Sequence, residues 1–410
     1  MLAVVPRAWG QQQRFPMPEF ESGYQYPDVS APEPRALMLD YFDVFVLIAV
    51  MSLASWLAIK KRSRRGILWL MVGALLYFGF WRDGCICSIG AIQNMSLTFS
   101  DATYSISWFV IAFFALPLLF SLFYGRVFCG AACPLGAIQD LVIVKPVTVP
   151  AWIRKSLGMF PFIYLALAVL YASTGTDFII CRYDPFVGIF RMGAEFHLIV
   201  LGISFLLIGM FVARPYCRFV CPLGALFKVT SQFSKNHLSI TPGRCIDCKL
   251  CKDSCPFDAI EKPTENKTVA AIKEKRGRFM LYAAMIPLLM LIGGWALSSS
   301  HIFLARAHPD VYLAHLLVTD PGIMDDLDNL DVQTFLGSDR TLDSLRAEAS
   351  AIQSGFRTGG WFAGAFIGLV AGMFLVSQLV VRRRTDYEPN RGDCFSCGRC
   401  FKYCPVMRNE

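Results

Sequence analysis

Eight of the chain's fifteen cysteines fall into two copies of one pattern, C-x2-C-x2-C-x3-C-P. The first copy is Cys245, Cys248, Cys251 and Cys255, followed by Pro256; the second is Cys394, Cys397, Cys400 and Cys404, followed by Pro405. Equivalent cysteines stand 149 positions apart (394 − 245). Thiolates hold iron–sulfur clusters, and three so closely spaced can grip three corners of a [4Fe–4S] cubane. In two-cluster ferredoxins the fourth cysteine of each run ligates the other cluster. That rule assigns Cys245, Cys248, Cys251 and Cys404 to one cluster and Cys394, Cys397, Cys400 and Cys255 to a second, provided the two runs pack together. Tetrahedral zinc also uses C-x2-C pairs, usually two pairs with a longer gap. Four cysteines in eleven residues followed by proline point instead to iron–sulfur chemistry.

Four more cysteines belong to a repeat. "YGRVFCGAACPLGAIQD" (124–140) matches "ARPYCRFVCPLGALFK" (213–228), so Cys129 and Cys133 map onto Cys217 and Cys221 at a constant offset of 88. Four thiols from two matching helix ends could form a third iron or iron–sulfur centre near the axis relating the copies. Cysteine is also a small apolar residue that packs well at a helix end. The remaining three are Cys85 and Cys87 in "WRDGCICSIGAIQN" and Cys181 in "FIICRYDPFVGIFRM", with Asp83 and Asp184 nearby. A disulfide between loops, a redox centre and a copper site all remain open for them. His301, His308 and His315 recur every seven residues and would share a face of a continuous helix. Pro309 argues against that helix, which leaves them as spaced polar positions. His197 falls at a helix end, where an interfacial place suffices.

The elements that must position these thiols are membrane helices. Hydrophobic residues make up 55% of the 410 residues and charged residues 17%, against about 25% charged in soluble domains. Seven apolar runs, near 42–60, 66–81, 106–124, 157–174, 196–213, 279–298 and 360–381, approach the roughly 20 residues needed to cross the hydrocarbon. The expected architecture is therefore all-α and polytopic. It divides into an extended outer arm (1–40), helices one to five with the duplicated repeat (41–230), a first ferredoxin half (231–278), helices six and seven with an outer loop at 299–357 (279–381), and a second ferredoxin half (382–410).

Basic clusters set the orientation. Lys60–Arg65, Arg154-Lys155, Lys273–Arg278 and Arg382-Arg383-Arg384 all fall on one side if the N-terminus is outside, and basic loops stay in the cytoplasm. The net charge of +8 is then topology, and nucleic acid is not an expected partner. Both C-x2-C-x2-C-x3-C-P runs land on the cytoplasmic face, as halves of one ferredoxin joined by a membrane hairpin. The outer loop 299–357 carries nine acids against four bases; it reads either as a solvated loop or as a docking face for a basic partner. The chain shows no cleavable signal peptide, nucleotide-binding glycine fingerprint, hydrolytic triad, HExxH helix or Thr-centred site for covalent flavin.

The duplicated C-x3-C-P at helix ends, followed by split ferredoxin motifs, resembles the NapH/NosR polyferredoxin membrane proteins. "CRYDPF" (181–186) and "RRRTDYEPNRGDCFSCGRCFKYCP" (382–405) are similar to the NosR-type branch in particular, and the resemblance covers residues 40–410. It implies one-electron transfer across a bacterial cytoplasmic membrane, between a cytoplasmic or quinol donor and a periplasmic redox partner. Two [4Fe–4S] clusters on one face do not bridge about 30 Å of hydrocarbon, so the inner cysteine pairs, the outer cysteines or a quinone between helices are the candidates for an intermediate carrier. NosR-type members carry an outer FMN-binding domain ahead of the first helix. With only 40 residues there, no flavin is expected in this chain, and a separate flavoprotein partner would supply that step. The rival expectations are an accessory protein that handles copper or another metal for an outer enzyme, and a scaffold whose clusters are structural.

Overall fold

The computed structural model describes residues 36–84, 88–240, 245–264, 269–319, 323, 329–338, 340–379 and 384–408; over 269–276 and 407–408 it describes the backbone alone. Most of the expected outer arm, Cys85 and Cys87, the acids Asp320, Asp325, Asp326, Asp328 and Asp339, and Arg382 and Arg383 lie outside the described residues.

Each apolar run is helical, but the runs differ in length. Four helical stretches are long and apolar enough to cross a membrane: Leu37–Ile59, Ala151–Ser173, Gly277–Ser299 and Leu342–Ser377. Trp108–Tyr124 and Phe196–Gly209 are shorter. The run near 66–81 is an α-helix, Arg64–Ala74, that widens into a π-helical turn, Leu75–Trp81. Leucine, phenylalanine and alanine dominate these segments. Ser55, Ser121 and Ser204 turn their hydroxyls back onto carbonyls of their own helices, so these polar groups are satisfied internally as lipid requires.

Each repeat copy ends its apolar helix with a break and then a second short helix. After Trp108–Tyr124, Gly125 takes φ +74, and the chain passes through a π-helical turn, Phe128–Ala132, into the helix Pro134–Leu141. A Cβ at Gly125 would press on the His237 ring, 2.9 Å from Nδ1, so space as well as φ calls for glycine. After Phe196–Gly209 a comparable course leads to Pro222–Thr230. Pro134 and Pro222 occupy first helical turns, where their missing N–H costs nothing.

The helices 269–299 and 342–377 form a tight hairpin. Gly360, Gly364, Gly368 and Gly372 recur every fourth residue and turn one face toward Gly293, Leu289 and Ile286. A methyl at Gly364 or Gly368 would overlap the facing backbone, which is how small residues let membrane helices approach closely. The hairpin returns the chain to its starting side, where Ile260–Glu261 pairs antiparallel with Glu388–Pro389. Asn390 N–H donates to Ala259 O at 2.6 Å, and the Phe257 and Phe395 rings pack 4.7 Å apart. Both rings are buried, contributing roughly 1.5–3 kcal/mol each.

The described residues of the segment 299–357, expected as an outer loop, are far more structured than a solvated loop. The last helix begins at Leu342, 18 residues before the expected start at 360, behind a Thr341–Ser344 capping box. Leu345, Ala349, Ile352 and Phe356 form an apolar stripe at helical spacing and pack with Val311, Leu317 and Val332 from the helices Pro309–Thr319 and Leu330–Leu336. The expected histidine break is present: His301–Ala305 stops before Pro309–Thr319.

Candidate iron–sulfur centres

The two cysteine runs line two cavities. One is bounded by Cys245, Cys248, Cys251 and Cys404. The other is bounded by Cys255, Cys394, Cys397 and Cys400. Three thiols in each come from one run and the last comes from the other.

The same backbone device shapes both. Asp247 (φ 55) and Lys249 (φ 64) correspond by the 149-residue offset to Ser396 (φ 51) and Gly398 (φ 70), all in the left-handed region. These residues turn the C-x2-C-x2-C thiols inward. A lysine held in that conformation costs about 1–3 kcal/mol and persists only where its surroundings dictate it. The thiols sense one another in the same sets. Burial pushes Cys251 up to about 11, with Cys245, Cys248 and Cys404 adding to the rise. Burial pushes Cys400 well above the ordinary thiol range, with Cys394, Cys397 and Cys255 as the first additions. Such thiols stay neutral until a metal takes the proton's place. Among the described residues no three Cys, His, Asp or Glu converge tightly enough for one ion. Each cavity is lined by four thiols, the donor set of a [4Fe–4S] cluster. When bound, such a group supplies one-electron chemistry.

Cys129, Cys133, Cys217 and Cys221 share one buried core. Burial, and then Cys217, Cys129 and Cys133 in that order, push Cys221 well up; the four thiols share a core, but among the described residues they do not converge on one point. Gln139 bridges the two copies, its Nε2 donating to Cys217 Sγ at 3.2 Å and its Oε1 accepting from Tyr216 N–H at 3.1 Å. Close above, Arg64, Arg214 and Arg399 surround Asp140 at 2.7, 3.3 and 3.2 Å. Burial alone would raise the Asp140 carboxyl, but Arg214, Arg399 and Arg64 together hold it below the usual carboxylate range. Motif reading passed over these charged residues. Their signal is in the repeat itself, because Arg126 and Arg214 each precede the first cysteine by three residues and obey the offset of 88.

A family model described as a 4Fe-4S binding domain matches residues 106–159 and 195–241, each stretch holding one C-x3-C-P pair. A second model of the same description matches 238–261. The uncharacterized protein MJ0750 of Methanocaldococcus jannaschii is 30% identical over 192 residues, 44% of this chain and 77% of that protein. The regulatory protein NosR of Pseudomonas aeruginosa is 26% identical over 49% of this chain and 30% of its own length. The putative electron transport protein YccM of Escherichia coli is 27% identical over 36% and 44%. No solved structure matches. The chain belongs to the NosR/NapH-like family.

It is accordingly an iron–sulfur electron-transfer protein of a membrane. This NosR/NapH-like chain spans a third or less of the length of NirI and NosR, so the activities of those whole proteins do not transfer by similarity. At the opposite end of its repeat lies a third cavity, bounded among others by Asn94, Phe113, Cys181, Asp184 and Arg191. Gln93 Oε1 accepts the N–H groups of Ile180 and Cys181 at 3.1 and 3.3 Å. Asp184 is 3% exposed; its Oδ1 accepts from Phe186 and Val187 N–H, while Oδ2 has no partner among the described residues. Burial, only partly offset by those two bonds, pushes its carboxyl up to about 6. Cys181 is exposed at this cavity. The histidines have local contacts instead of a shared site: His301 Nδ1 lies 2.8 Å from Ser298 O, His308 Nδ1 accepts from Asp310 N–H, and His315 meets Arg306.

Proposed function

We propose that the chain carries electrons across a bacterial cytoplasmic membrane through two [4Fe–4S] clusters and a third thiol-held centre. Cys245, Cys248, Cys251 and Cys404 hold the first cluster, and Cys255, Cys394, Cys397 and Cys400 the second. Cys129, Cys133, Cys217 and Cys221 form the step between the second cluster and the far side. The observation that carries the reading is the exchange of fourth cysteines between the two cavities. Seven spans place the N-terminus outside and both ferredoxin halves in the cytoplasm. Basic residues favour this: Arg62 and Arg64 donate to Ile240 O and Cys397 O, and Arg154 reaches Asp258 at 3.5 Å, so the basic loops face the ferredoxin unit. A cytoplasmic protein or quinol supplies the electrons and a periplasmic redox protein or separate flavoprotein takes them.

Proteoliposomes test the reading. With dithionite on the ferredoxin side and an impermeant acceptor trapped on the other, the acceptor is reduced only if protein is present. Iron and sulfide analysis of anaerobically purified protein should give at least two clusters per chain. Intact clusters without transmembrane reduction would overturn the conduit. The outer cavity with Cys181 and Asp184 favours a second reading, metal handling for an outer enzyme; stoichiometric copper lost on Cys181→Ser would support it.

A further inference from the structure

A layer of buried arginine separates the repeated thiols from the second cavity. Arg126 is 4% exposed and Arg214 0%. Each reaches across to the other repeat copy: a Cβ at Gly136 would lie 3.3 Å from Arg214 Nη1, and one at Gly224 would lie 3.3 Å from Arg126 Nη2. Arg214 Nη1 also donates to Cys129 O at 2.5 Å. Both act electrostatically on Cys129 and Cys217. On their other side, both guanidiniums face the ring of Phe395, at 4.2 and 5.5 Å, beside Cys394. Arg126 Nη1 donates to Gly392 O at 3.0 Å, and Arg64 Nη1 to Cys397 O at 2.9 Å.

The charge of this layer is not balanced by carboxylates. Arg64, Arg214 and Arg399 share Asp140. Arg126 forms no ion pair among the described residues, and its Nε–H has no acceptor. Asp393 feels its charge but is itself paired with Lys228 at 3.4 Å. Three guanidiniums thus share Asp140, and the buried Arg126 is left with Asp393, which Lys228 already pairs. A buried cation without a partner is costly, and proteins keep one where an anion compensates it. Arg214 is also held at φ 49, ψ 59, a left-handed conformation rarely kept by a non-glycine residue without a constraint on its position. An iron–sulfur cubane with four thiolates is net anionic, and its potential is set in part by net charge and burial.

We propose that Arg126 and Arg214 are the charge-compensating pair of the second cluster, raising its reduction potential by stabilising the reduced state. The proposal rests on the two-cluster reading. Reduction adds one electron to the cluster, and the added negative charge falls beside two fixed cations with no proton required. The paired arrangement presents the same cations to the thiol quartet below, so both centres share one electrostatic environment.

Redox titration of the purified holoprotein, followed by EPR, tests this. The two signals are assigned beforehand with Cys→Ser variants from each set. Arg126→Gln and Arg214→Gln should each lower the reduced-to-oxidised ratio of the second cluster at fixed poise by about tenfold, a shift of about 59 mV for one electron. The first cluster should titrate as before. Arg126→Lys should restore the wild-type midpoint, and Asp140→Asn should shift it the opposite way. If Arg214→Gln does not accumulate, Arg126→Gln and Asp140→Asn decide the matter by the opposite signs of their shifts. Two intact clusters with unmoved midpoints in these variants overturn the inference alone. Wild-type protein lacking two clusters overturns the parent reading.

Discussion

Two buried aspartates mark the difference between the ends of this protein. Asp140, at the ferredoxin end, has three guanidiniums within 3.3 Å and is held ionised. Asp184, at the other end, has no ion pair among the described residues and is pushed up to about 6. Burial is severe for both, so the neighbours decide the charge state. The ferredoxin end is built to hold charge, as anionic clusters require. The end opposite the ferredoxin unit is built around a carboxyl that is readily protonated. That contrast suits a chain whose one side handles electrons alone and whose other side meets water and protons.

The largest break in this contrast should come from the crossed cysteine. Cys255→Ser removes a thiol that lies in the first sequence run but lines the second cavity. The expected outcome is loss or conversion of the cluster of Cys394, Cys397 and Cys400, with the other retained, read by EPR and iron content. Loss confined to the cluster of Cys245, Cys248 and Cys251 would reverse the crossed assignment. Removing residues 394–410 should disturb both clusters, because each cavity then lacks at least one thiol.

Next in size is the quartet. Changing Cys129, Cys133, Cys217 and Cys221 to Ser should lower bound iron below wild type while both ferredoxin signals persist, and should stop transmembrane reduction in proteoliposomes. Unchanged iron and unchanged reduction would make the four thiols packing residues only, as their burial in one apolar core allows.

The sequence made the ferredoxin end unusually legible because its chemistry is local. Cysteine spacing alone separates Cys245, Cys248 and Cys251 from Cys255, and the 149-residue offset extends even to the left-handed pairs Asp247/Ser396 and Lys249/Gly398. Four of the seven apolar runs are helices long and apolar enough to cross a membrane, which composition alone marks; the other three are shorter, and composition did not separate the two kinds. What could not be read was long-range charge. Arg64, Asp140, Arg214 and Arg399 are scattered over more than 300 residues and meet only through the fold. The outer helical unit was missed for a different reason. Its stripe of Leu345, Ala349 and Phe356 is too polar in between to register as a span, yet it is continuous with one.

A smaller effect should follow from the hairpin that joins the halves. Gly368→Leu would force a side chain into the Leu289 backbone, and overpacking of this kind costs roughly 1–3 kcal/mol. The helices can separate only by displacing the second half from the first, so the mutation should lower thermal stability and weaken both clusters together. Gly277, which has open space around it, is the control. An equal loss from Gly277→Leu would show that helix packing is not what holds the halves.

The smallest effect tests the other end directly. Asp184 binds its proton more tightly in the folded chain, at about 6, than in the unfolded one, near 3.9. A raised carboxyl contributes fully to stability below the unfolded value and loses that contribution as pH rises through the folded one. The window is therefore about pH 4 to 6, and the total is at most about 3 kcal/mol. Asp184→Asn keeps an acceptor for Phe186 and Val187 N–H but cannot ionise. It should match wild type at pH 4 and unfold at higher temperature than wild type at pH 8, with the clusters spectroscopically unchanged at both. Parallel stability profiles for the two proteins across that range would mean that Asp184 is ionised and compensated, and the contrast with Asp140 would disappear.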